Sequence, residues 1–425
     1  MSENKTNEAV AQKTEKVSFM DYVRVLGPGL VVSAVVIGPG SVTTASSMGA
    51  NYAYQGLWLV LFACIASYFF QETAVRIVVH QKETVLSGMK HQLAPWVAKL
   101  ICVLAFVMTM MAQAGNFVGA GMAMNYFVPA LSVNAWACIL IVLGLVMVFL
   151  KKDGLLDGFT KTLVFIMAVT FIITAVATHP SMSRIVGEGF SFRIPGGQIM
   201  LALGLVGTTI VPDTPLALST LNQDKYWSPE GNLYGYSVNQ KEKFARVDLI
   251  VSLIVTFLIT SSIIICSATV LNPQGIKITA AADMAIQLTP ILGRFAGILF
   301  SLGLWSAAFS SGSYRIQLMP KYFLDAFSLE GKTATTVYNV VALLAGVVPF
   351  LMLMIYSGNP VQLVIAGQVS VGLLVPFVAI ALFILMNKKS YMGEHANNLG
   401  QNIAFLVVIA VTLGMAARTF INLIK

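Results

Sequence analysis

The stretch Val211-Pro212-Asp213-Thr214-Pro215 interrupts an otherwise apolar run, and its reading decides the fold. Proline removes a backbone donor and clashes with the carbonyl four residues back, so two prolines around an aspartate do not continue an ordinary helix. Gly204 and Gly207 precede them and lower the barrier to irregular backbone. A second interruption, Gly38-Pro39-Gly40-Ser41, lies near the middle of the first long apolar run. In lipid, an unpaired backbone group costs several kcal/mol, so unwound chain at membrane depth has to line a cavity or hold something. Two ordinary proline kinks would use the same residues. Placement argues against kinks: the interruptions fall in the first helices of two successive sets of five. Matched breaks of that kind point to a transporter binding site at the bilayer midplane.

Composition puts these runs in lipid. Of 425 residues, 57% are hydrophobic and only 10% are charged, and the mean hydropathy is +0.80. Soluble domains carry about 25% charged residues, so most of this surface cannot face water. A spanning helix needs roughly 20 apolar residues. That length predicts helix 1 at 25–48, helix 2 at 55–79, helix 3 at 95–127, helix 4 at 133–150, helix 5 at 155–178 and helix 6 at 196–221. Helix 7 follows at 245–271, helix 8 at 288–314, helix 9 at 335–356, helix 10 at 358–387 and helix 11 at 400–422.

The net charge of +8 does not mark a nucleic-acid surface, because the basic residues recur between apolar runs rather than in a patch. With these spans, 20 Lys and Arg fall on one side, Arg315 among them, and six on the other. The positive-inside rule then predicts a cytoplasmic N-terminus, and an odd helix count predicts a C-terminus outside. Residues 1–18 read as a disordered polar tail, and no cleaved signal peptide is expected ahead of helix 1. Cys64, Cys102, Cys138 and Cys266 lie inside apolar runs without metal-site spacing and read as small buried hydrophobes.

Several stretches resemble the Nramp family of divalent-metal transporters. Gly27-Pro28-Gly29 through Gly38-Pro39-Gly40-Ser41 is similar to that family's helix 1. Ala202-Leu203-Gly204-Leu205-Val206-Gly207 leading into Val211-Pro212-Asp213 is similar to its helix 6. Phe244-Ala245-Arg246-Val247-Asp248 resembles the family's Phe-x-Arg-Ile-Asp opening of helix 7. Gly367-Gln368-Val369 through Val375-Pro376-Phe377 to Lys389-Ser390-Tyr391-Met392-Gly393-Glu394 looks like its helix 10 and the loop beyond. The resemblance covers nearly the whole chain. It implies an all-α integral membrane protein of the LeuT type: a 5+5 inverted repeat with an additional eleventh helix, helices 1 and 6 being unwound mid-membrane. The parts would be the tail 1–18, a first repeat 19–178, a second repeat 179–387, and a loop with helix 11 at 388–425.

The departures from the family pattern bear on chemistry. The Asp and Asn of the family's Asp-Pro-Gly-Asn in helix 1 correspond to Gly38 and Ser41. Its Met-Pro-His in helix 6 becomes Val211-Pro212-Asp213, so the soft methionine sulfur is gone. The family's acidic pair on helix 3 aligns with Gln113 and Asn116, its second helix 6 histidine with Leu218, and its helix 9 arginine pair with Tyr338 and Asn339. The proton relay is thereby dismantled.

The candidate cargo ligands are Gly38 through its backbone, Ser41, Thr209, Asp213, Thr214 and Gln368, with Thr208 and carbonyls near Ile37 and Ile210 close by. Asp213 is the one candidate metal carboxylate, since an ionisable residue at midplane marks function by default. It could equally cap the second half of helix 6. Pro39, Gly40, Pro212 and Pro215 are candidate hinges. Gln113, Asn116, Ser310 and Ser311 are candidates for an ion-coupling or pathway role, although interhelical hydrogen bonding would use the same side chains. Glu72 and Arg76, four apart on helix 2, read as a structural pair, as does Asp248 near Arg246.

Two functions fit. One is transport of a divalent cation, hard or partly hydrated (the Mg²⁺/Mn²⁺ class), without the usual proton coupling. The alternative is Na⁺-coupled or uncoupled transport of a small organic amine or zwitterion, in the volume opened at Gly38 and Ser41. No enzymatic constellation and no cofactor is expected. The expected partners are the transported ion or solute and the lipid bilayer, with no nucleic acid, and the chain is expected to act as a monomer in a prokaryotic plasma membrane.

Overall fold

The computed structural model describes residues 38–150, 157–194, 198–228, 231, 233 and 235–424. The expected tail and the first half of helix 1, with the carbonyl of Ile37, lie outside these residues. Every regular element described is helical. The long helices are α1 (Pro39–Tyr52), α2 (Leu57–Arg76), α3 (Pro95–Phe127), α4 (Val133–Phe149), α5 (Asp157–Ala177), α6a (Ile199–Ile210) and α6b (Thr214–Trp227). They continue as α7 (Val238–Val270), α8 (Ala296–Phe327), α9 (Gly331–Ile355), α10 (Pro360–Met386) and α11 (Leu399–Ile424). Nine stretches among the described residues are long and apolar enough to cross a bilayer. One of them, Pro39–Gln81, is divided by a turn at Ala53, whose φ is 51°. Splitting it there and adding the shorter apolar helix Val133–Phe149 recovers the expected eleven.

Packing repeats after five helices. The helix α1 packs on α7, and α6a on α2; α3 packs on α4, and α8 on α9; α3 packs on α10, and α8 on α5. Each contact becomes its counterpart when helix n is exchanged for helix n+5. The last helix, α11, packs on α10 outside that scheme. Large apolar side chains face outward along α4, α5, α9 and α11, among them Val142, Phe165, Met354 and Leu406. A water-facing surface does not carry such a band, and the chain is a multi-pass membrane protein. Cys64, Cys102 and Cys266 are buried and Cys138 is half-buried, as apolar fillers would be.

Several helix ends differ from expectation: helix 6 runs on to Trp227 rather than 221, and the long helix α8 starts at Ala296 rather than 288. The helix α7 starts at Val238 rather than 245, because Ser237 and Gln240 close a capping box ahead of the apolar run. The helix α8 runs on to Phe327, with Pro320 inside it, rather than ending at 314. Arg315 is therefore a residue of a long helix and not part of a basic loop.

The ion pair expected within α2 is present and is larger than expected. Glu72, 1% exposed, accepts from Arg76 Nε at 2.9 Å and from Arg246 Nη2 at 3.0 Å. Arg246 also reaches Glu242 at 2.6 Å. Arg76 further donates to the carbonyl of His395 and to Asn397 Oδ1, so the cluster joins α2, α7 and the segment after α10.

Candidate functional site

The site begins with the two interruptions. Gly38 is extended (φ −83°, ψ −177°) and Pro39 opens α1, where its missing N–H is not needed. In helix 6, α6a stops at Ile210 because Val211 takes a left-handed conformation (φ 48°, ψ 72°). Pro212 then has no N–H to offer the carbonyl of Thr208. The chain resumes as α6b at Thr214. Asp213 occupies the cap position of α6b but its side chain makes no capping hydrogen bond, so the capping alternative does not account for it.

The two interruptions meet. Ser41 Oγ lies 2.9 Å from Thr208 Oγ1. A side chain at Gly40 would collide with the amide of Gln368, its Cβ falling 2.2 Å from Nε2. One at Gly207 would strike the backbone of α10, 2.5 Å from the amide nitrogen of Gly372. These two glycines let α1, α6a and α10 close around one cavity.

That cavity, about 790 Å³ of space between atoms and partly open to solvent, is lined by Gly38, Gly40, Asn116, Thr208, Asp213, Thr214, Ser311 and Gln368, with Tyr314, Arg315, Leu218, Leu318 and Val371 among the rest. The structure thus brings together Gly38, Gly40, Asn116, Asp213, Thr214, Ser311 and Gln368. Other candidates lie off the cavity wall. Ser41 is not on the wall and contacts Thr208, which is. Thr209 turns its hydroxyl back to the carbonyl of Leu205 at 2.9 Å. Ser310 turns back to Ala307 at 3.3 Å. Gln113, wholly buried, donates to the carbonyl of Gly312 at 2.7 Å and ties α3 to α8. Pro39, Pro212 and Pro215 are buried at the starts of α1 and α6b.

The residue that sequence reasoning missed is Arg315. Its Nη1 donates to Asp213 Oδ2 at 3.0 Å, with side-chain exposures of 15% and 5% respectively. The other carboxylate oxygen, Oδ1, is buried and has no hydrogen-bond partner among the described residues. Among the described residues, Asp213 and Arg315 are the only charged ones lining the cavity, and their formal charges cancel. Among the described residues, its remaining polar surface is hydroxyl, amide and backbone oxygen, with no thioether.

A cavity of this kind where the start of α1 meets the break in helix 6, inside a five-plus-five helical repeat, defines a membrane transporter of the LeuT-type fold. The family described as Natural resistance-associated macrophage protein-like (Nramp) matches residues 29–422, and the chain belongs to that family. A relative named Divalent metal cation transporter MntH, from Caldanaerobacter subterraneus subsp. tengcongensis, is 23% identical, with 96% of each chain covered. The manganese transporter of Eremococcus coleocola, solved in complex with an aromatic bis-isothiourea compound, superposes with a TM-score of 0.77 at 14% identity, covering 96% of this chain and 89% of that one. MHP1, a nucleobase–cation symport-1 family transporter, superposes with a TM-score of 0.59 at 12% identity, covering 93% and 92%.

Proposed function

We propose that this chain carries a divalent metal cation of the hard or partly hydrated Mg²⁺/Mn²⁺ class across the membrane, without obligatory proton coupling. The observation that supports it best is the buried, unpartnered Oδ1 of Asp213 at the helix 6 break. Buried polar atoms without partners are rare in native proteins and call for an explanation such as a ligand. Beside the Arg315 guanidinium, the described cavity wall carries oxygen and amide groups: Thr208, Thr214, Asn116 and Gln368. Hard cations take oxygen ligands, and Mg²⁺ keeps several of its waters, which suits a site with one carboxylate already shared with an arginine. Nramp relatives named for divalent metal and manganese transport favour the same cargo. Gln113, Asn116, Leu218, Tyr338 and Asn339 stand where the family's relay residues would be, and none is an acid, a histidine or an arginine.

A second reading draws on the Asp213–Arg315 pair. A zwitterionic solute would set its ammonium on Asp213 and its carboxylate on the guanidinium, which is built for bidentate carboxylate recognition. One experiment separates the two. Liposomes containing the purified protein and a pH dye are offered Mn²⁺, Mg²⁺, amines and amino acids in turn, with and without a Na⁺ gradient. Metal uptake with no acidification proportional to flux, lost in Asp213→Asn, supports the metal reading. Sodium-driven solute uptake with no metal flux overturns it in favour of the zwitterion.

The same reading takes the chain as a monomer in a prokaryotic plasma membrane with its N-terminus in the cytoplasm. It divides the chain into repeats 19–178 and 179–387, with 388–425 appended.

A further inference from the structure

Among the described residues, two buried arginine–carboxylate pairs differ in construction. Arg76 uses three of its donors, on Glu72, on the carbonyl of His395 and on Asn397. Its side chain is 4% exposed. Such a guanidinium is locked in place. Arg315 has five N–H donors like any arginine, yet among the described residues it makes one hydrogen bond, to Oδ2 of Asp213. Its side chain is 15% exposed and lines the cavity. Among the described residues its guanidinium is held by a single hydrogen bond, and it faces the space where cargo would sit.

We propose that Arg315 is a tethered stand-in for the transported cation: it neutralises Asp213 while the cavity is empty and gives way at that carboxylate when a cation binds. This rests on the cation reading above. The physical ground is the behaviour of a buried carboxylate, which is strongly disfavoured without a compensating charge. A carrier whose binding residue is a lone carboxylate has to bring a co-ion back with it. A carrier with its own guanidinium does not. The arrangement accounts for an acidic residue at the cavity of a chain whose relay positions are Gln113 and Asn116. It also sets how selectivity arises. Cargo competes with a fixed cation of one charge, so a divalent ion displaces it more readily than Na⁺ or K⁺ does. Arg315 stays with the carrier, so each transported ion moves its full charge and net uptake responds to membrane potential.

The test uses the full chain in nanodiscs and liposomes, with Mn²⁺ as probe. Arg315→Gln is expected to bind Mn²⁺ on the order of tenfold more tightly than the native protein, because the internal competitor is gone. Its Mn²⁺/Mn²⁺ exchange should persist while net uptake slows, because the empty carrier now returns with an uncompensated carboxylate. An Arg315→Gln protein that binds Mn²⁺ no more tightly, or loses both exchange and binding, overturns the proposal. Thermal unfolding provides a readout independent of cargo identity. The melting temperature of Arg315→Gln should rise with added Na⁺ or K⁺, whereas that of Asp213→Asn/Arg315→Gln should not. If native protein neither binds nor moves Mn²⁺ but this salt response appears, the metal reading fails and the stand-in survives; if the response is absent, the stand-in fails. Should Arg315→Gln not survive purification, Arg315→Lys carries the test. A shorter, differently placed charge must shift the Kd for Mn²⁺, and an unchanged Kd overturns the idea.

Discussion

Ser41 of α1 and Thr208 of α6a, 167 positions apart, join the two helices through a hydrogen bond of 2.9 Å between their hydroxyls. Both are buried, at 2% and 6% exposure. Ser41→Ala and Thr208→Val should each lower stability by about 1 kcal/mol, and the double variant by less than the sum, since the partner left behind is no longer stranded. Melting curves of the four proteins check this. Additive losses would mean that the contact contributes nothing to holding the halves together.

The crossing of α6a and α10 tolerates no side chain at Gly207, where a Cβ would sit 2.5 Å from backbone nitrogen of Gly372 and 2.6 Å from the carbonyl oxygen of Gln368. Backbone cannot swing aside as a side-chain tip does. Gly207→Ala is expected to destabilise by about 1–3 kcal/mol and to depress uptake, because the displaced helix carries Gln368. Gly414 in α11 is the control: a Cβ there meets nothing within 4 Å. Gly414→Ala should be neutral or stabilising by about 0.5–1 kcal/mol. Paired melting temperatures decide it.

Glu72 holds two guanidiniums, those of Arg76 and Arg246. Glu72→Gln would leave the 4%-exposed Arg76 without its carboxylate. A loss of about 3 kcal/mol is expected, the low end for breaking a buried pair, because Arg246 is 43% exposed and remains near Glu242. Limited proteolysis at the segment around His395 and Asn397 should accelerate in the variant, since Arg76 anchors that segment.

Gln113 ties α3 to α8. Its amide donates to the carbonyl of Gly312, and it is absent from the cavity wall. Gln113→Leu should lower the melting temperature, at about 0.5–2 kcal/mol, the range for interhelical hydrogen bonds in membranes. It should leave the order of preference among transported ions as it was. A changed order in competitive uptake would give Gln113 a role at the site.

Apolar runs of spanning length made the helices legible, and α3 begins and ends where its run does, Pro95–Phe127. The break in helix 6 and the start of α1 at Pro39 were legible because proline and glycine act locally. Helix facing was not legible. Residues 204–210 of α6a are buried all round, so no polar stripe separates Thr208, on the cavity, from Thr209, folded back on Leu205. Arg315 was read as a topology signal because a proline and two lysines or arginines between 315 and 321 resemble a loop. What could have found it is the apolar series Ile316, Met319, Tyr322, Phe323 and Ala326, which keeps helical spacing through Pro320. The pairing itself depends on two residues 102 positions apart and was beyond any local pattern.

One backbone angle has a mechanical consequence. Val211 holds φ at 48°, a conformation that a β-branched residue adopts only under constraint, at on the order of 1–3 kcal/mol. The helix 6 break therefore stores strain at the wall of the cavity, which Val211 lines. Glycine at this position would sit there without that cost. Whatever state of the working cycle lets residue 211 relax starts with that head start.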